Sequence, residues 1–241
     1  MTHWLVITLA GPLASFGETA GNAERGTADR PTRSALLGLA GAALGIDRND
    51  HDGQQRLAAS LAIATNTLRP GALLRDFHTY QSVHRSKGRF ATRRAALALP
   101  STEIETSITR REYRSDGLWH AAYSLKTGAT LTLEELAQAF RAPHYTLYLG
   151  RKSCPPGHPL VPELIAAETL AQAFASYAQA RSIRSDRATT IASDDLSSAG
   201  AGNRPVRRHV RVDEPLDRSS WQFAARDEFV FMSGGDKEGG S

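Results

Sequence analysis

The side chains best suited to chemistry crowd the middle of the chain. His78, Tyr80, His84 and Lys87 fall close together, and such groups can cleave a phosphodiester by general acid–base chemistry without a metal. The same stretch suits a second task. Residues 75–114 carry nine cations (Arg75, Arg85, Lys87, Arg89, Arg93, Arg94, Arg110, Arg111, Arg114) against Asp76, Glu103, Glu105 and Glu112, a local charge of +5. Phe77, Tyr80, Phe90 and Tyr113 are interleaved with them. Single-stranded RNA is held by cations along its phosphates and by rings under its splayed bases. Histidines within such a surface need no catalytic role, and a solvated charged loop would share the composition.

Three other groups stand apart. Pro31-Thr32-Arg33-Ser34 reads as a helix start, where free N–H groups, a cation and two hydroxyls could seat a phosphate; an ordinary N-cap reads the same way. Tyr145-Thr146-Leu147-Tyr148-Leu149-Gly150-Arg151-Lys152-Ser153-Cys154-Pro155 offers a glycine, two adjacent cations and a hydroxyl at a strand end, a plausible backbone clamp. Cys154 within it reads as a buried structural thiol. Asp47, Asp50, His51 and Asp52 are hard ligand types, but they crowd a turn without a recognised ligand spacing. No phosphate-cradling or dinucleotide-binding glycine motif is present, and no metal or cofactor is expected.

Elements must position these groups. Residues 3–10 are apolar on both faces and predict a buried strand, stopped by Gly11-Pro12. Thr32 caps a helix whose stripe is Leu36, Leu37, Ala40 and Leu44; Gly38, Gly41 and Gly45 suggest close packing on a sheet. A helix over 53–60 and a strand over 61–69 precede the basic excursion, read as a projecting hairpin. A strand at 118–125, a helix at 131–140 capped by Thr132, and a short strand at 145–149 follow. Residues 163–182 predict an Ala-rich helix, 183–203 a flexible stretch, and 205–212 and 221–232 two further strands. The order is β-α-β-β-α-β, a ferredoxin-like α+β pattern with an excursion in its middle.

Composition sets the frame. The chain has 241 residues, 41% of them hydrophobic, a globular balance. The longest clean apolar run, Trp4 to Ala10, falls short of the roughly 20 residues a membrane helix needs. No signal peptide is read, and one cysteine makes no internal disulfide, so a reduced, cytoplasmic protein is expected. Arginines number 25 and lysines four. Bidentate phosphate contacts favour arginine, and a GC-rich genome, which the many alanines also fit, gives the same ratio. The excursion exceeds the +4 of the whole chain, so the remainder is slightly acidic.

The run Tyr145–Pro155 with Pro159 and Leu160 resembles the CasD family, the RAMP-type subunit of type I-E CRISPR Cascade. So do Leu9-Ala10-Gly11-Pro12, Pro31-Thr32-Arg33-Ser34, Leu36-Leu37-Gly38-Leu39, Gly45-Ile46, Leu74-Arg75-Asp76-Phe77-His78-Thr79, Arg111-Glu112-Tyr113 and Ala225-Arg226-Asp227-Glu228. These blocks run in order along nearly the whole chain, and 165–203 departs from them. The resemblance implies a modified ferredoxin-like, RRM-like RAMP domain over 1–232. It would carry a β-hairpin thumb at about 76–114, a small C-terminal β extension at about 204–232, and a disordered tail at 233–241. It implies a non-catalytic subunit that caps the crRNA and holds its 5′ handle. Its neighbours would be a CasC-type backbone subunit and a CasA-type large subunit, with target DNA met through the complex and no membrane. Arg33 and Ser34 would hold handle phosphates. Tyr148, Arg151, Lys152 and Ser153 would line the groove. Arg75, His78, Tyr80, Arg93, Arg94 and Arg111 would belong to the thumb and its base. A related subunit of subtype I-C cleaves RNA, which leaves repeat-RNA endoribonuclease as the alternative.

Overall fold

In the computed structural model, residues 1–17, 23–83, 90–183, 188–197, 199–202 and 204–233 are described. Strand β1 (Thr2–Ala14) is buried on both faces. Leu5, Ile7 and Leu9 point to one layer, and Trp4, Val6 and Thr8 to the other, as the two-residue period of a strand requires. Gly11-Pro12 does not end it. Thr8 and Ala10 turn their backbone groups to the outer edge, where Leu160 and Gly157 bond them. Pro12 falls in the same phase, so its missing N–H takes nothing from the ladder to β5, which continues to Ala14 and Arg114.

A two-residue strand, β2 (Glu24–Arg25), precedes helix α1 (Arg33–Leu44), capped by Thr32 and closed by Gly45 in the left-handed conformation. Helix α2 (His51–Ser60) is capped by Asp50, whose carboxylate accepts from Gly53 N–H. Strand β3 (Leu61–Arg69) leads into β4 (Ala72–Val83), then α3 (Arg93–Leu97), a 3-10 turn at Ser101–Glu103, and the 22-residue β5 (Ile104–Leu125). After it come α4 (Leu133–Arg141), β6 (Glu163–Ala167), α5 (Leu170–Ala180), β7 (Thr189–Ser193), β8 (Arg207–Asp217) and β9 (Gln222–Ser233).

The sheet order is β6-β1-β5-β3-β7-β9-β8, every neighbour antiparallel. Its first four strands place the first and third strands of a β-α-β-β-α-β unit in the centre, the ferredoxin-like order. Leu5, Ile7, Leu9, Trp119 and Tyr123 form one core layer with α1, α2 and α4. Trp4, Val6, Ala122, Ile191 and Phe231 form a second beneath α5. His120 lies in that second layer, opposite Thr8 and Asn66, with its ring 4.9 Å from that of Tyr177. Burial, reinforced by Arg181, lowers its pKa to about 4. Neither of its ring nitrogens has a hydrogen-bond partner among the described residues.

Four expectations fail on instructive grounds. Residues 163–167 are a strand, because pairing with Thr2–Val6 overrides the helix preference of an Ala-rich run; the helix starts anew at the Thr169/Gln172 capping box. The stretch read as flexible contains β7, wedged between β3 and β9. Residues 145–149 form no strand but an extended loop held by single bonds such as Ser15 N–H to Leu149 O, 3.0 Å. Gly38 and Gly41 face Arg218 and α2 rather than a sheet. The C-terminal β extension is β8 and β9, joined to the main sheet through β7. Of the tail, Ser233 ends β9, and 234–241 lie outside the described residues.

An ionic network fastens β8 and β9 to the first half. Arg33 reaches Asp194 and Glu214, each at 2.5 Å. Arg226 reaches Asp213 at 2.6 Å and Asp194 at 2.8 Å, and Arg30 meets Glu228 at 2.5 Å.

Candidate nucleic-acid interface

Among the described residues β4 pairs only with β5, from Ala72 opposite Ser115 to Val83 opposite Ile104. The ribbon therefore buries almost nothing of β4, and Leu73, Leu74, Phe77, Tyr80 and Ile108 stay exposed. β5 continues past it into the core, between β1 and β3. One strand thus belongs to both the projecting ribbon and the central sheet.

The pleat sorts the expected residues onto two faces. Directly opposed residues share a face, so His78, Tyr80, Arg111 and Tyr113 stand on one side, with Leu74 and Asp76. Arg75 stands on the other with Glu112, bonding its carboxylate at 2.7 and 3.0 Å. Phe77 is on that second side too, beneath the Arg110 guanidinium at 5.6 Å. Arg93 and Arg94 begin α3 at the far end, where Arg93 bonds the Gln81 carbonyl at 3.4 Å. His84, Arg85, Lys87 and Arg89 lie outside the described residues.

The loop after 148 docks onto the ribbon's base. Leu149 N–H bonds Cys154 O at 2.7 Å, and Cys154 N–H bonds Arg151 O at 2.9 Å, closing a turn whose apolar ends are buried. Gly150 sits at φ 87°, and a Cβ there would lie 1.9 Å from Ser15 O, so only glycine fits. The turn aims Arg151 at Tyr113, with its guanidinium 4.9 Å from the ring centroid. Arg151 also bonds Arg25 O at 3.1 Å and Glu112 O at 3.4 Å. Lys152 and Ser153 stand exposed at the turn, and Tyr148 just before it. Burial pushes the Cys154 thiol pKa up, which suits a structural residue rather than a nucleophile.

Arg111 and Arg151 therefore meet Tyr113 on one face of the ribbon's base, with Arg25 paired beside them through β2, while Arg75 lies on Glu112 on the other face. Arg25 and Tyr113 were not among the expected site residues. Arg25 pairs with Arg111 through β2, a two-residue strand too short to leave a periodic signal. Arg33 behaves differently. Its side chain is buried, and it spends its donors on Asp194, Glu214 and the carbonyls of Leu61 and Ala58. Its backbone N–H is taken by Asp213. It is a structural cation here, a correction to the expectation that it meets phosphate. Ser34, beside it, is half-buried, with its hydroxyl near that of Thr32.

The acidic turn is also structural. Asp50 caps α2, Asp47 accepts from Asn49 N–H at 2.8 Å, and His51 faces Asp217 at 3.3 Å. No cluster of three or more metal-ligating side chains occurs among the described residues. No helix among them is long and apolar enough to cross a membrane.

A family described as CRISPR-associated protein (Cas_Cas5) matches residues 4–228. The CRISPR system Cascade subunit CasD of Escherichia coli (strain K12) is 33% identical over 244 residues, covering 98% of this chain and 99% of that protein. Two solved structures share the fold. A chain of a CRISPR RNA-guided surveillance complex has a TM-score of 0.64 at 23% identity, covering 95% of this chain and 88% of its own. A Cas protein crystal structure has a TM-score of 0.63 at 24% identity, covering 95% and 94%. With the thumb-like ribbon, the open sheet and a match along almost the entire length, the chain belongs to the Cas5 family of CRISPR-associated proteins.

Proposed function

We propose that this protein is a non-catalytic, RNA-binding subunit of a Cascade-type CRISPR surveillance complex. In this reading it holds the 5′ handle of the crRNA at the base of its ribbon. The meeting of Arg25, Arg111 and Arg151 around Tyr113 carries the reading, with Arg75 on the opposite face of the same base. Arg25, Arg111 and Arg151 on that face, with Arg75 the one cation on the Glu112 carboxylate, leave positive charge for backbone phosphates. Tyr148, Lys152 and Ser153 continue the surface, and His78 and Tyr80 extend it along one ribbon face. Arg93 and Arg94 mark its distal end. The exposed Leu73, Phe77 and Ile108 suit a protein neighbour; a CasC-type backbone subunit there and a CasA-type large subunit nearby complete the proposal. Target DNA would be met only through the assembled complex.

Labelled CRISPR-repeat RNA incubated with the protein in EDTA tests this. Tight, salt-sensitive binding of intact RNA is expected, weakened about tenfold or more by combined Arg151→Ala and Lys152→Ala. Specific cleavage that disappears in a His78→Ala variant would replace the reading with an endoribonuclease. Failure of the wild-type chain to bind RNA would remove it.

A further inference from the structure

Arg218 stands apart from the buried arginines of the ionic network. Arg30, Arg33 and Arg226, all largely buried, each meet a carboxylate at 2.8 Å or closer. Arg218 is largely buried too, yet no carboxylate among the described residues pairs with its guanidinium. It lies along the first turns of α1, donating to the Ser34 carbonyl at 2.6 Å. A Cβ on Gly38 would approach its Nη1 to 3.0 Å, so glycine there clears its bed, at a helix cost of about 1 kcal/mol. Asp217, its chain neighbour, turns away to Ser219, Ser220 and His51. Arg48 fixes the same turn from outside through the carbonyls of Arg218 and Ser219, at 3.1 and 2.7 Å. Tyr148, an exposed residue, acts on Arg218 electrostatically and favours its charged form.

A rigidly held, desolvated guanidinium without an anion is costly unless an anion arrives. Arg218 donates to the Ser34 carbonyl at the start of α1, and Tyr148, which the proposed function assigns to the RNA surface, acts on it electrostatically. We propose that Arg218, acting with Tyr148, forms a phosphate seat for one backbone linkage of the bound RNA. This rests on the RNA-binding reading. It brings the β8–β9 turn into the site, a segment that neither ribbon nor loop predicts.

The test measures binding of fluorescent repeat RNA to the full chain across salt concentrations. Arg218→Gln should bind roughly tenfold more weakly, and its slope of log K against log salt should fall by about 0.7, the value of one single-strand phosphate contact. Tyr148→Phe should lower affinity and leave the slope unchanged. RNAs carrying one neutral methylphosphonate linkage at successive positions locate the seat. At one position the neutral linkage should weaken the wild type and leave Arg218→Gln unaffected. Gly38→Ala, which presses on Nη1 and shifts the guanidinium by a few tenths of an ångström while keeping its charge and the helix, guards against misfolding of the Gln variant and should also weaken binding. An unchanged slope in folded Arg218→Gln, or no linkage with that behaviour, overturns the seat while RNA binding stands. Absence of binding by the wild type overturns both.

Discussion

His120 shows what single residues decide here. Burial holds its imidazole neutral, with a pKa of about 4 against an ordinary 6.5. The unfolded chain takes up a proton near pH 6.5, and the folded chain does so only near 4. Stability from this group is therefore complete above pH 6.5 and is lost as pH falls toward 4, at about 1.4 kcal/mol per pH unit. Urea unfolding of His120→Leu should lack that component, so the wild type should lose stability relative to it as pH falls from 6.5 to 4.5; parallel curves would refute this. Residue types were legible in sequence, and their surroundings were not. Arg33 and Arg151 read alike as cations beside hydroxyls, yet one is enclosed by carboxylates from β7 and β8 while the other lies on a tyrosine face. The partners of each are distant in the chain, so no local spacing distinguishes the two.

Elements with local causes were the legible ones. Thr32 and Thr132 cap helices through bonds closed within three residues. The basic excursion lacks a core stripe, and it is the exposed β4–β5 ribbon. β6 and β7 escaped notice because each is five residues long and is defined by its neighbours. The ribbon's independence gives a sharp expectation. Replacing residues 77–110 with a short turn closes β4 onto β5 at Asp76 and Arg111, removing no residue from the two main core layers. The shortened chain should melt within a few degrees of the intact one and bind RNA more weakly, since His78, Tyr80, Arg93 and Arg94 go while the cations at the base remain. A collapse of the melting transition would show that the ribbon supports the core.

On the scale of the whole molecule, the C-terminal hairpin is the opposite of the ribbon. It was legible as two strands, but its role as a clasp was not, because the clasp lies in ion pairs between residues nearly two hundred positions apart. Ending the chain after residue 204 removes Asp213, Glu214, Arg226 and Glu228 and leaves Arg30 and Arg33 buried without those partners. Each broken buried pair costs about 3–5 kcal/mol, against a total stability of about 5–15 kcal/mol. The truncated chain should express as insoluble protein without a cooperative melt; a soluble, cooperatively folding product would refute the clasp.

The pleat of β5 bears on how such a protein can vary. Its segregation of Arg111 and Tyr113 from Arg110 and Glu112 holds only while the count of residues back to the anchored Ser115 keeps its parity. Two residues inserted between Glu112 and Ser115, matched by two in β4, lengthen the projection and preserve each side's chemistry. A single inserted residue exchanges the two sides throughout the ribbon. Drift in thumb length is therefore quantised in pairs: relatives can differ by even steps there, while odd steps demand a compensating bulge.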